Sequence, residues 1–188
     1  MPPEKISERE LMLSLTDLFR EQGFEGATLS MISKATGLKR ASLYHRFPGG
    51  KHDMALAVTE FTAGEFKGVL APLYEAGNIR SRIRKVARGL GEYYDDGMRS
   101  CLVDSLSVGK KADGRDVIAE RIAEIMEAFI SSFEGIARES GASAKEARFR
   151  AEDAVVRFEG SLVMARSTGD TGSFKRWQKD LPRILTGE

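Results

Sequence analysis

Thr28-Leu29-Ser30-Met31-Ile32-Ser33-Lys34-Ala35-Thr36-Gly37-Leu38-Lys39-Arg40-Ala41-Ser42-Leu43-Tyr44-His45-Arg46-Phe47 is the stretch that decides how this chain folds. Thr28 is placed to cap a short helix over about 29–35. Thr36-Gly37-Leu38 reads as a tight turn, where Gly37 supplies the backbone freedom. A second short helix follows over about 39–46. Two such helices form a steep elbow when apolar side chains pin their crossing. Ile32, Leu38, Leu43 and Phe47 are those pins, and small Ser33 and Ala35 leave room for the second helix.

Charge gives the elbow a face. From Gly26 to His52 there is no Asp or Glu, yet Lys34, Lys39, Arg40, Arg46 and Lys51 fall there, with His45 and His52. The net charge is only +1, but a locally basic edge binds phosphate at one place without coating the whole surface in counterions. The second helix presents Lys39, Arg40, Ala41 and Ser42 at its N-terminal end, where a recognition helix meets base edges in a major groove. Thr28 at a helix start, Tyr44, His45 and Arg46, and Lys51 at the next helix are placed beside that groove for the phosphate backbone. Backbone contacts position a protein without carrying sequence information. A plain helical hairpin accounts for the glycine and the apolar spacing. It does not account for the acid-free edge or for Tyr44-His45-Arg46. The expected partner is double-stranded DNA.

Outward from the elbow nearly everything reads as helix. Ser7-Glu8-Arg9-Glu10 has the form of a capping box and opens a helix with Leu11, Met12, Leu15, Leu18 and Phe19 at the 3.6-residue period, stopped by Gly23. Downstream of Pro48-Gly49-Gly50, helices are predicted over about 51–70, 79–94 (capped by Asn78), 101–108, 115–139 and 144–167. A last helix carries Phe174, Trp177, Leu181 and Leu185, and Pro182 should bend or end it. Gly109 to Gly114 reads as a polar loop, and Ser143 to Glu146 as a second capping box. Period-two alternation is missing, so the class is all-α, about nine helices. The boundary falls near residue 50: a head over 1–50 and a helical body over 51–188, with 51–70 as the connecting helix. Gly64, Gly68, Gly89, Gly91 and Gly135 fall inside predicted helices, which implies either close helix crossings or a backbone that must move.

Composition narrows the function classes. Of 188 residues, 41% are hydrophobic and 30% charged, enough apolar material for a sizeable core. No apolar run reaches the roughly 20 residues of a membrane span, and the first residues lack the layout of a signal peptide; a cytoplasmic protein is expected. Cys101 is the single cysteine, so no intrachain disulfide forms. His45 and His52 lie seven apart and one cysteine builds no zinc site, so no metal is expected. No glycine-rich phosphate loop is present, and Cys101 has no histidine outside the basic head to activate it. Neither an enzyme nor a cofactor is indicated.

Gly37-Leu38 followed by Leu43-Tyr44-His45-Arg46-Phe47, after Gly23-Phe24 and Ala27-Thr28 and before Lys51 and a long helix, resembles the TetR family of transcriptional repressors. Phe47-Pro48-Gly49-Gly50-Lys51 and Ser100-Cys101-Leu102 resemble its LmrA/YxaF-like branch. Arg40-Ala41 stands where Lys-Gly is common in the family, and Arg46 where His or Tyr is common; both departures bear on the operator sequence. The resemblance implies a homodimer on a palindromic operator, with the last two long helices pairing as a four-helix bundle. Phe158, Ser161, Leu162 and Ala165 form one candidate interface stripe beside Gly160, and Phe174, Trp177 and Leu181 with Leu185 another. It also implies a small-molecule inducer held by the middle helices, mostly apolar. Candidate lining residues are Phe61, Phe66, Tyr93, Tyr94, Leu102, Leu106, Met126, Phe129, Phe133 and Phe158, with Tyr93, Tyr94, Asp104 and Ser105 as candidate polar anchors. The rival reading is a constitutive or architectural DNA binder with no inducer.

Overall fold

The computed structural model describes residues 6–107 and 117–188. Among them the elements are α1 (Glu8–Gly26), α2 (Leu29–Thr36), α3 (Arg40–Arg46), α4 (Lys51–Leu70), a 3-10 turn (Ala71–Tyr74), α5 (Ile79–Tyr93), a second 3-10 turn (Asp95–Gly97), α6 (Leu102–Ser107), α7 (Val117–Glu139), α8 (Ala144–Thr168) and α9 (Gly172–Thr186). No strand occurs among the described residues, and the all-α class holds. The polar loop expected at 109–114 and the expected start of α7 at 115 lie outside the described residues.

Helix starts follow local side-chain chemistry. At α1 the Ser7 hydroxyl accepts from the Glu10 amide at 3.2 Å, and the Glu10 carboxylate accepts from the Ser7 amide at 2.9 Å. Asn78 accepts from the Ser81 amide at 3.0 Å to open α5. The box expected at α8 is half made: Ser143 accepts from the Glu146 amide, while the Glu146 carboxylate accepts from Arg150 on the same helix. Two helix ends differ from expectation. The backbone leaves helical values at Gly23 (φ 66°, ψ 178°), but a further turn carries α1 to Gly26. Pro182 does not end α9, which runs to Thr186. Leu181, Pro182 and Leu185 are all buried, and that packing offsets the hydrogen bond a proline cannot make.

The chain divides into two compact units, each from two stretches. The first comprises Met1–Gly64 and Leu102–Ile122, the second Glu65–Cys101 and Ala123–Glu188. This division cuts α4 and α7, whereas the sequence pattern put one boundary near residue 50. Met54, Ala55 and Val58 of α4 are fully buried in the first unit's core, together with Leu11, Leu15, Phe19, Ile32 and Leu43, and Leu102, Leu106, Ile118 and Ile122 join them. The start of the connecting helix, α6 and the first turns of α7 are thus part of the head.

The second unit is a helical layer packed on aromatic rings. α8 buries Ala147, Ala151, Ala154 and Ala165, and this row of small side chains lets α9 approach closely. The Trp177 indole then donates to the Ala154 carbonyl at 2.9 Å. Asp95, Asp96 and Gly97 all take positive φ (49°, 50° and 100°). A Cβ on Gly97 would sit 2.9 Å from the Phe174 Cβ, so both the turn and the packing call for glycine there. The buried Arg82 guanidinium pairs with Glu139 at 2.5 and 2.9 Å and also donates to the Leu73 carbonyl. It ties α5, the end of α7 and the first 3-10 turn together.

Candidate nucleic-acid interface

The α2–α3 elbow is held from within. Gly37 ends α2 at φ 68°, ψ 2°. The Thr36 hydroxyl donates to the Ile32 carbonyl at 2.8 Å and accepts from the Leu38 amide at 3.3 Å. The Ser33 hydroxyl donates to the Leu38 carbonyl at 2.5 Å. Ser33 is therefore a hydrogen-bonding strut rather than merely a small residue, and Ala35 is exposed and lines no crossing. Ile32 and Leu43 are fully buried, Phe47 nearly so, and Leu38 half-buried. These are the pins the spacing pointed to.

The outer face carries Lys39, Arg40, Ala41, Ser42, Tyr44, His45 and Arg46, all exposed. Lys39 occupies the N-cap of α3 with extended backbone and makes no side-chain cap, so its ammonium has no duty in the helix. Thr28 is exposed, and its oxygen accepts from the Met31 amide at 3.2 Å; the hydroxyl proton is what it has left to offer. The Tyr44 ring, 47% exposed, lies over Gly50, which has φ +67° and would bring a Cβ within 3.4 Å of Cε1.

Two cations expected to reach phosphate are engaged inside the chain. The Lys51 ammonium stands 4.6 Å over the Phe24 ring and donates to the Glu25 carbonyl at 3.4 Å. Arg46 Nη1 donates to the Glu8 carboxylate at 2.6 Å. Sequence reasoning missed both because the partners come from α1, outside the acid-free window. Beside α3, Ile6, Leu38, Ala41, Ser42, His45 and Arg46 line a groove.

The expected inducer residues fall into two groups. Leu102 and Leu106 belong to the head's core with Phe61 packed against it, and the Ser105 hydroxyl donates to the Arg20 carbonyl at 3.2 Å. In the second unit Tyr94 meets Phe158 at 5.1 Å, Phe129 meets Phe133 at 4.8 Å and Phe158 at 5.6 Å, and Phe66 meets Phe129 at 4.8 Å. Tyr93 joins through Tyr94 at 5.0 Å, and Met126 is half-buried.

The expected interface stripes point inward. Phe158, Ser161, Leu162, Ala165, Phe174, Trp177 and Leu181 are all buried within the single chain. α9 lies against α8, and that contact consumes both stripes. What α8 turns outward instead is Phe149 (70% exposed), Val156 (70%), Val163 (48%) and Met164 (53%). Their signal was legible as a second apolar series seven residues apart at 149, 156 and 163, opposite the first. Gly160 lies on the same outer face, and a Cβ there would meet nothing within 4 Å.

An all-α chain with a helix-turn-helix head and a basic, exposed second helix is the class these observations define. Residues 15–58 match the family described as bacterial regulatory proteins, tetR family. The HTH-type transcriptional regulator LmrA of Bacillus subtilis (strain 168) is 42% identical over 55 residues, which is 29% of this chain and 29% of that protein. The match thus spans under a third of its relative's length. The crystal structure of a TetR transcriptional regulator from Legionella pneumophila superposes with a TM-score of 0.84 over 96% of this chain and 98% of that one, at 18% identity. A cysteine mutant of the TetR-family regulator CifR, solved with 26-base-pair double-strand operator DNA, superposes with a TM-score of 0.76 over 97% of each chain at 18% identity. Residues 15–58 thus match the tetR family's model, and the whole chain is similar in fold to solved regulators of that family.

Proposed function

We propose that the protein is a sequence-specific transcriptional regulator that binds a palindromic operator as a homodimer, acts as a repressor, and is released by a small, mostly apolar ligand. The observation that carries the reading is the exposed outer face of α3, Lys39 to Ser42, on an edge with no acid between Gly26 and His52 in the sequence. Lys39 and Arg40 read bases, and Thr28, Tyr44 and His45 hold the backbone. CifR, similar in fold, was solved on operator DNA, which supports the same use of this head.

One seven-residue helix gives too little contact for specific binding, so two heads must act together on half-sites about 34–36 Å apart. The exposed α8 series Phe149, Val156, Val163 and Met164 is the face we assign to the partner copy, because large apolar side chains left in water at this density favour association. Val156→Asp is expected to leave the fold intact and shift sedimentation from dimer to monomer. A dimer that survives it would place the interface elsewhere.

The ligand site we assign to the aromatic set of the second unit: Tyr93, Tyr94, Met126, Phe129, Phe133 and Phe158. One observation favours the constitutive reading instead. Phe129, Phe133 and Phe158 are buried against one another, as plain core would be. Selection of bound duplexes from a random library, repeated with candidate ligands, tests both points. A symmetric sequence is the expected product, lost when the right ligand is present. Recovery of random duplex would leave an architectural binder.

A further inference from the structure

The sequence keeps the DNA-facing edge free of acid, yet the fold returns one to it. Glu8, in the first turn of α1, lies 38 positions before Arg46, and its carboxylate accepts from Arg46 Nη1 at 2.6 Å at the C-terminal end of α3. The two side chains are 71% and 37% exposed, so the pair stands in water at the rim of the groove lined by Ile6, Leu38, Ala41, Ser42, His45 and Arg46.

We infer that Glu8 is an affinity-setting residue: it occupies Arg46 in the free protein and competes with a DNA phosphate for that guanidinium. The inference rests on the regulator reading above. Exposed ion pairs contribute little to stability, so the head does not need this one to stay folded; its core closes through Ile32, Leu43 and Phe47 without it. A carboxylate at this edge, by contrast, faces a polyanion when DNA arrives. Arg46 has then to leave Glu8 for phosphate, or remain and hold a negative charge beside the backbone. Either way Glu8 weakens every duplex alike, because phosphate contacts carry no sequence. A residue of this kind lowers non-specific binding along with specific binding, and keeps the regulator from being trapped on random DNA.

The test uses the full chain with Glu8→Gln, Arg46→Gln and the double variant, titrated against the selected palindrome and a scrambled duplex over a range of salt. Glu8→Gln is expected to tighten both duplexes by roughly fivefold per head at low salt, the effect of one unit charge at close range in water. The slope of log K against log salt should steepen by about 0.9 for each head as Arg46 becomes a full phosphate contact. The double variant should bind like Arg46→Gln alone. Glu8→Asp keeps an acid in the first turn of α1 but shortens its reach, and should fall between wild type and Glu8→Gln; it carries the test if the Gln variant loosens the helix. Unchanged or weaker binding by Glu8→Gln overturns the inference, and so does a double variant that keeps the gain. Wild-type protein that ignores all duplexes at low ionic strength would instead overturn the regulator reading itself.

Discussion

The head and the body of this molecule are stabilised by different kinds of contact. In the first unit, short polar side chains close specific backbone gaps: Ser7 at α1, Thr28 at α2, and Ser33 and Thr36 in the turn, each within 2.5–3.3 Å of its partner. In the second, Asn78 and Ser143 cap α5 and α8 in the same way, and rings join the helices to one another. Phe66, Tyr94, Phe129, Phe158, Phe174 and Trp177 form a continuous series of edge and tilted contacts at 4.8–6.5 Å. Directed hydrogen bonds fix single donor–acceptor pairs; aromatic rings pack edge-to-face or offset over about 4.5–7 Å and bury large apolar areas. The unit that carries the exposed basic α3 holds its α2–α3 turn by the first kind, and the second unit is crossed by the second.

The largest effect that bears on this contrast is expected at Phe158, fully buried and 4.9–6.1 Å from the rings of Tyr94, Phe129, Phe174 and Trp177. Phe158→Ala should cost about 3–5 kcal/mol in a denaturant titration. A loss below about 1 kcal/mol would mean that the rings close over the gap, and the body would then be softer than plain core. Next comes the head. Arg40→Ala should cost about 1–3 kcal/mol of discrimination at one or two base positions without moving the melting temperature. Tyr44→Phe follows, with about 0.5–1.5 kcal/mol lost equally on all duplexes. A changed sequence preference from Tyr44→Phe would reverse the division between reading and positioning residues.

Legibility in the sequence follows the same division. Contacts between residues close along the chain were readable: the Ser7 box, the Thr28 cap and the Gly37 turn lie within about one turn of their partners, and the Ile32–Leu43–Phe47 pins fall within one short two-helix stretch. Contacts that the fold assembles from distant segments were not. Arg46 with Glu8 and Arg82 with Glu139 are 38 and 57 residues apart, and nothing in a charge pattern pairs them. α8 shows a further limit. It carries two apolar series, 151-158-162-165 and 149-156-163, and periodicity cannot say which faces its own chain. Burial decides: the alanine-rich series takes α9, and the bulkier one remains outside. Trp177, expected at an interface, is buried within its own chain, where the alanines opposite leave room for an indole.

The smallest effect separates the two units by how each holds an exposed carboxylate. Glu10 in the head is kept below the usual carboxylate range first by the Ser7 hydroxyl and then by the Ser7 amide. Glu127 in the body is kept low chiefly by the Arg148 guanidinium on α8, which makes a fork with it. In both, the folded value lies below the unfolded one. The stability each contributes is therefore complete above the ordinary carboxylate range near pH 4.5 and is lost as pH falls through the lowered value. Salt distinguishes them, because the Debye length shrinks from about 10 Å at 0.1 M to about 3 Å at 1 M. Carboxyl titration by NMR should show Glu127 returning toward its ordinary value as salt is raised, while Glu10, held by neutral donors, stays put. Ser7→Ala should release Glu10 and leave Glu127 unmoved. If salt instead shifted Glu10 as far as Glu127, the cap would be electrostatic rather than a matter of directed bonds, and the contrast between head and body would fail at its simplest point.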